Sequence, residues 1–198
     1  MLNRDPYTNA FTLGHKLLEL GSIAMGNTTV VEQAMPYFKE IAEKTNLTAL
    51  LSIPSLKGSL IAYIHSADYG INIGAQIGAN LPLDSATRLL FSTFENRAHL
   101  KKWEQDFAQN WSKDERKQFQ LEQELTRKTF FASKMEPLVE HVSSFSVPIL
   151  NFNEDLLAVI TIVGFTDLVP KNVVLPTSKL VLQYAHSLSE YYGYVQKN

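Results

Sequence analysis

Cysteine is missing from all 198 residues, which excludes disulfides, cysteine-ligated zinc and thiol chemistry. A charge excess of either sign is missing too: 18 Lys and Arg stand against 20 Asp and Glu, a formal net charge of -2. Chains that grip nucleic acid show a basic excess or stripe, so this balance argues against direct DNA or RNA binding by these residues. No apolar run is long enough to cross a bilayer: the longest extends about ten residues from Leu156, half of what a spanning helix needs. The opening MLNRDPYTNAF has no apolar signal core, so the cytoplasm is the expected compartment.

Catalytic signatures are equally scarce. His15, His65, His99, His141 and His186 are scattered, with no pair three or four residues apart on one helix, so no metal site is expected. There is no G-x-S-x-G, no Walker lysine loop and no G-x-G-x-x-G after a strand. The nearest glycine cluster, Gly70, Gly74 and Gly78, falls within a strand pattern without a phosphate-type loop. Neither enzymatic turnover nor a cofactor is expected.

What the chain does have is apolar residues at 45% and charged residues at 19%, the balance of an ordinary globular protein with one sizeable core. Its organising stretch is Ser143 to Phe165. The only charges there, Glu154 and Asp155, fall in the Asn-rich break from Asn151 to Asp155, between two apolar, β-branched runs of strand length. That pattern predicts a hairpin in the interior of a sheet. Pro148 lacks a ladder donor and predicts a bulge or local break. Ser143, Ser144, Ser146 and Thr161 either pack with satisfied hydroxyls, the commoner outcome, or line a cavity as ligand donors.

In chain order, Leu13, Leu17, Leu18 and Leu20 predict a first helix ended near Gly21 and Gly26. Thr29 and Glu32 form a capping-box pattern ahead of a stripe at Val31, Ala34, Met35, Phe38, Ile41 and Ala42, with Pro36 predicting a kink or a late start. Leu47 to Ile53 and Ser59 to His65 read as strands, and Tyr69 to Ile77 alternates as a third. Asp84 or Ser85 would cap a helix through Phe94. From Glu95 to Lys128 lie seven acidic and eight basic residues interleaved with Trp103, Phe107, Trp111, Phe119, Leu121 and Leu125, as in solvated amphipathic helices. Pro176 or Thr177 opens a last helix with its apolar face at Leu180, Val181, Tyr184, Ala185, Leu188 and Tyr191, ending at Gly193. Strands that follow one another through short turns predict an α/β (α+β) fold with an antiparallel sheet and segregated helices.

One segment suits a ligand. Between Gly78 and Arg88 a strand hands over to a helix through small residues, leaving backbone N–H groups that would receive a carboxylate. Asp84 capping its own helix explains the same residues without a ligand.

The order of these segments resembles the C-terminal, effector-binding domain of IclR-type bacterial transcription regulators, whose fold is related to GAF and PAS sensors. Asn3-Arg4-Asp5-Pro6 with Phe11 to Gly21 is similar to the family's wing end, aromatic-x-Leu-Gly motif and linker helix. Ala34 and Pro36 with Ile41-Ala42 resemble its A-x-P-x-x-x-x-L-A stretch. Leu81-Pro82-Leu83 with Ser85-Ala86-Thr87 resembles P-L-x-x-S-A-T-G-R, less the glycine before Arg88. Ser144 to Ile149 with Ile162 to Phe165 resembles S-I-A-A-P-V and S-V-S-G-P, with Ser146 for an alanine and Phe165 for a proline.

The resemblance implies that residues 1–12 are the remnant of a wing and linker after a winged helix-turn-helix, and that residues 13–198 form a GAF-like effector-binding domain. It implies a pocket between the sheet and the loop entering the helix, with Gly78, Ala79, Leu81, Ser85, Ala86 and Thr87 on one side and Ser144, Ser146, Thr161 and Val163 on the other. Thr161 with Val163, and Ser144 with Ser146, could still face opposite ways. The implied ligand is a small carboxylic or aromatic acid. The implied partners are a second copy, in a homodimer or tetramer, and DNA through the N-terminal domain. An enzyme using the same pocket and a ligand-free oligomerisation scaffold are the alternatives.

Overall fold

The computed structural model describes residues 2–17, 20, 29–55, 58–67, 75–81, 85–95, 108, 111–135 and 140–196. At the start, β1 (Leu2–Arg4) and β2 (Phe11–Leu13) form a two-stranded antiparallel ribbon of their own. Its turn is fixed by Asp5, whose Oδ1 accepts from the N–H groups of Tyr7 and Thr8 at 2.8 Å each. Leu13, expected to open the first helix, is the last residue of β2. Most of the Leu13 to Leu20 pattern and the two glycines after it lie outside the described residues.

The main sheet is antiparallel throughout. β3 (Thr48–Ser55), β4 (Gly58–His65), β5 (Ala132–Met135), β6 (Val142–Leu150) and β7 (Leu156–Phe165) are ordered β4-β3-β7-β6-β5. The expected hairpin is β6–β7. Its turn is closed by Asn151 Oδ1, which accepts from the N–H groups of Asn153 and Asp155 at 2.9 and 3.0 Å, and Glu154 takes a positive φ of 64° there.

Pro148 causes no break. The β6–β7 register is continuous from Ser143↔Gly164 to Ile149↔Ala158, and the one irregularity falls between Ile149 and Leu150. β5 pairs with β6 only as far as Ser146, so the missing donor of Pro148 falls on an open strand edge where no ladder bond is lost.

Because side chains alternate along a strand, the sheet has two unlike faces. Ala49, Leu51, Phe145, Val147, Ile149, Ala158, Ile160 and Ile162 face one way and form the main core. Two helices cover them: α1 (Thr29–Thr45), through Val31, Ala34, Phe38 and Ile41, and a C-terminal helix, through Val181, Ala185 and Leu188. Burial of such side chains contributes about 1.5–3 kcal/mol each. Pro36 lies inside α1, which nonetheless begins at Thr29, so the start is not late.

The opposite face carries α2 (Ala86–Phe94), against which α3 (Lys113–Thr129) packs. α3 begins at a complete capping box: the Ser112 N–H donates to Glu115 Oε2 at 2.7 Å and the Glu115 N–H to Ser112 Oγ at 3.2 Å. It is a solvated helix: Thr126 is its one buried residue and Leu121 and Leu125 are 52% and 61% exposed. Trp103 and Phe107 lie outside the described residues. α4 (Pro176–Tyr191) starts with proline in its first turn, where no intrahelical N–H bond is lost, and the chain turns away at Gly193 with φ 80°.

The strand expected over Tyr69 to Ile77 is not present in its described part. Residues 75–80 form a turn and a single bridge, Leu60↔Asn80, and the remainder lies outside the described residues. β5 was not foreseen.

Candidate functional site

α2 begins at Ser85, which is extended (φ -97°, ψ 160°) and accepts from the Arg88 N–H through its Oγ at 3.3 Å. Of the two candidate caps, Ser85 fills the role; Asp84 lies outside the described residues. Starting the helix there aims Thr87 at the sheet.

Thr87 Oγ1 lies 2.6 Å from Thr161 Oγ1 on β7 and 3.3 Å from Ser146 Oγ on β6, and those two are 2.9 Å apart. Three hydroxyls thus close a triangle. Each can donate once and accept once, which uses all three protons. All three side chains are buried.

The register explains why they meet. Ser146 pairs with Thr161, and Ser144 with Val163, so all four residues share one face rather than opposite faces. The rung through the triangle reads Leu50, Thr161, Ser146, Ala132 across β3, β7, β6 and β5. The next rung reads Thr48, Val163, Ser144, Lys134. Where the other face has its hydrocarbon core at the centre, this one is interrupted there by hydroxyls between two apolar clusters. One contains Ala86, Leu90, Ala132, Leu150 and Val159. The second contains Leu50, Val142 and Val163, with Ile64, Ala75 and Leu81 against it.

One residue of this face escaped the sequence reading. Ser52 pairs with Val159 across β3–β7, which sets it diagonally across from Thr161. It is fully buried, and its hydroxyl has no hydrogen-bond partner among the described residues. A lone serine inside the apolar run Leu50-Leu51-Ser52-Ile53 was the available signal. Arg88 is 2% exposed, so a guanidinium is held inside the protein one residue along from Thr87.

The other sequence-predicted residues are placed as follows. Ala86 packs in the first of the two apolar clusters, Leu81 against the second, and Val163 belongs to the second. Ser144 is fully buried beside the triangle's rung. Gly78 and Ala79 are engaged at the far edge of the sheet: the Gly78 N–H donates to Ile61 O at 2.8 Å and the Ile61 N–H to Ala79 O at 2.9 Å. β3 therefore stands between them and the triangle. Among the described residues there is no cluster of three metal-ligating side chains.

Residues 23–190 match the family described as bacterial transcriptional regulator IclR C-terminal. No match is found among curated protein sequences. Among solved structures, the chain is similar to HmgR of Pseudomonas aeruginosa, with 21% identity and a TM-score of 0.76 over 99% of this chain and 80% of that one. It is similar to IclR of Thermotoga maritima at 18% identity and a TM-score of 0.76, covering 98% of this chain and 80% of that one. An IclR homologue from Microbacterium hydrocarbonoxydans, solved with 4-hydroxybenzoate, is similar at 15% identity and a TM-score of 0.74, over 96% and 78% of the two chains. At these identities the likeness is one of fold.

Proposed function

The chain belongs to the IclR-type bacterial transcriptional regulators, of which it carries the C-terminal domain, and from that premise we propose that it senses a small carboxylic or aromatic acid on the hydroxyl-bearing face of its sheet. The observation that carries this reading is the buried triangle of Thr87, Ser146 and Thr161 beside the unpartnered hydroxyl of Ser52. Buried polar groups cost free energy unless satisfied. Three sheet hydroxyls, Ser146, Thr161 and Ser52, and Thr87 facing them from α2 are more than packing alone calls for.

The triangle also suggests how binding becomes a signal. All its protons are engaged, so a ligand oxygen or hydroxyl enters only by replacing one side. The longest side, at 3.3 Å, joins Thr87 on α2 to Ser146 on β6. Opening it loosens α2 from the sheet. Ser52 supplies a further donor and Arg88 a buried positive charge near the start of α2. A ligand that binds one position of α2 better than the other shifts the equilibrium between them. Leu81, Ser85, Ala86, Ser144 and Val163 complete the proposed contact set, and Gly78 and Ala79, bonded to β4 at the far edge of the sheet, stand outside it. In the intact regulator the shift passes to DNA-binding domains that precede this one and pair through dimers or tetramers.

The test is a thermal-shift screen of small aliphatic and aromatic acids, 4-hydroxybenzoate included. The expected result is an upward shift with one class, lost in Thr87→Val, with the compound recovered unchanged. No response across both classes, or chemical conversion of the compound, overturns the proposal.

A further inference from the structure

A cleft of about 450 Å³ opens at the free edge of β6, between that edge and α4, and it has the size of a small-molecule site. Its floor is apolar: Pro148 and Leu150 from the open edge of β6, with Phe130 from the turn after α3. Its rim carries Lys128, Lys179 and His186, and among the described residues no acidic side chain lines it. That is a local cationic excess in a chain whose acids outnumber its bases.

Like Lys113, Lys117 and Lys171, the lysines at this rim are not held by a carboxylate among the described residues. Lys39, Lys44 and Lys134 each pair with a glutamate. Lys128 and Lys179 have no carboxylate partner among the described residues, while His186 already lies 3.4 Å from Glu190. The floor, for its part, offers no backbone donor to an added strand. Pro148 has no N–H, and the Leu150 N–H donates to Ser189 Oγ at 3.0 Å. An extended peptide would find no ladder here. An apolar floor under two unpaired ammonium groups suits a compact amphipathic anion.

We propose that this cleft is a second ligand site, for an organic anion with an apolar body held by Lys128 and Lys179 over Pro148, Leu150 and Phe130. It is independent of the sensing reading above and stands or falls separately.

The experiment uses 1-anilinonaphthalene-8-sulfonate, an anion on an aromatic body, as a fluorescent probe on the whole chain, with decanoate as competitor. Saturable binding displaced by decanoate is expected. Lys128→Gln with Lys179→Gln should raise the probe's Kd at least tenfold, whereas Lys113→Gln with Lys117→Gln, the same charge change elsewhere on the surface, should leave it within twofold. Gln183→Trp, which fills the cleft from α4 without altering charge, should abolish displacement. An equal Kd in the two lysine pairs, or unaltered displacement in Gln183→Trp, overturns the proposal.

Discussion

Thr87 on α2 and Thr161 on β7 are joined inside the protein by a 2.6 Å hydrogen bond across 74 positions of sequence. Thr161 also bonds Ser146 at 2.9 Å, so it holds the two shorter sides of the triangle. Thr161→Val keeps the shape and removes both bonds, leaving Thr87 and Ser146 to share one. A buried hydroxyl left short of a partner costs about 1–3 kcal/mol. Urea unfolding of Thr161→Val should show a loss of that size with an unchanged m-value. Native stability in the variant would mean that the triangle does not form in solution.

Ser52 should behave in the opposite way. Its hydroxyl is buried without a partner among the described residues, so Ser52→Ala removes a desolvation cost and leaves a void of only one oxygen. Stability should rise by about 1 kcal/mol, about 2–4 °C in Tm for a chain of this size. If the hydroxyl contacts the effector, the thermal response to the acid should shrink in the same variant. A rise in Tm with an undiminished ligand response would separate Ser52 from the proposed site.

Much of the fold was legible because its local signals agree. The break from Asn151 to Asp155 with β-branched flanks gave the central hairpin, and the three-and-four spacings of α1 and α4 gave the helices that cover it. β5 was not legible: Ala-Ser-Lys-Met has neither alternation nor β-branching, and it is a strand because β6 offers it an edge. Leu121 and Leu125 sit at helical spacing on a helix read as solvated and are exposed, since spacing says nothing about whether a partner is present. The order of motifs pointed to the family that residues 23–190 match. At the site, Ser146, Thr161 and Thr87 were each visible, but their meeting depends on a register that places Ser146 opposite Thr161. Period two alone could not supply that pairing.

Gly164 is fixed by close approach rather than by its backbone angle. A Cβ built there would run into Leu47 Cδ2 and come within 3.3 Å of Val169 Cγ2. Leu47 belongs to the short connection that brings α1 into β3, and it is buried. Gly164→Ala should therefore cost about 1–3 kcal/mol by overpacking. Adding Leu47→Val, which withdraws the colliding methyl, should recover part of the loss, and a double-mutant cycle by chemical unfolding reads the coupling. Strict additivity of the two changes would contradict the contact.

The α1–α4 seam should make stability depend on pH at both extremes. Lys44, and after it the Tyr184 hydroxyl, hydrogen-bonds Glu40 and holds its carboxyl below the usual glutamate range. A lowered folded value means that the unfolded chain binds the proton more readily. The contribution of Glu40 is therefore present above the unfolded value, about 4.3, and is lost as pH falls through the lowered one. Tyr184 is raised, first by burial and then by Glu40, and Lys44 is raised chiefly by Glu40. Their contributions are whole below the unfolded values, about 10 for tyrosine, and vanish as pH rises through the raised ones. Midpoints of urea unfolding measured from pH 3 to 11 should show Glu40→Gln flattening the acid limb and part of the alkaline limb, because it also withdraws the carboxylate that raises Tyr184 and Lys44. Tyr184→Phe should flatten the alkaline limb more than the acid one. Because Glu40 and Lys44 are solvent-exposed, both effects should shrink as salt is added. A Glu40→Gln profile parallel to the native one at every pH would show that the three groups are not coupled.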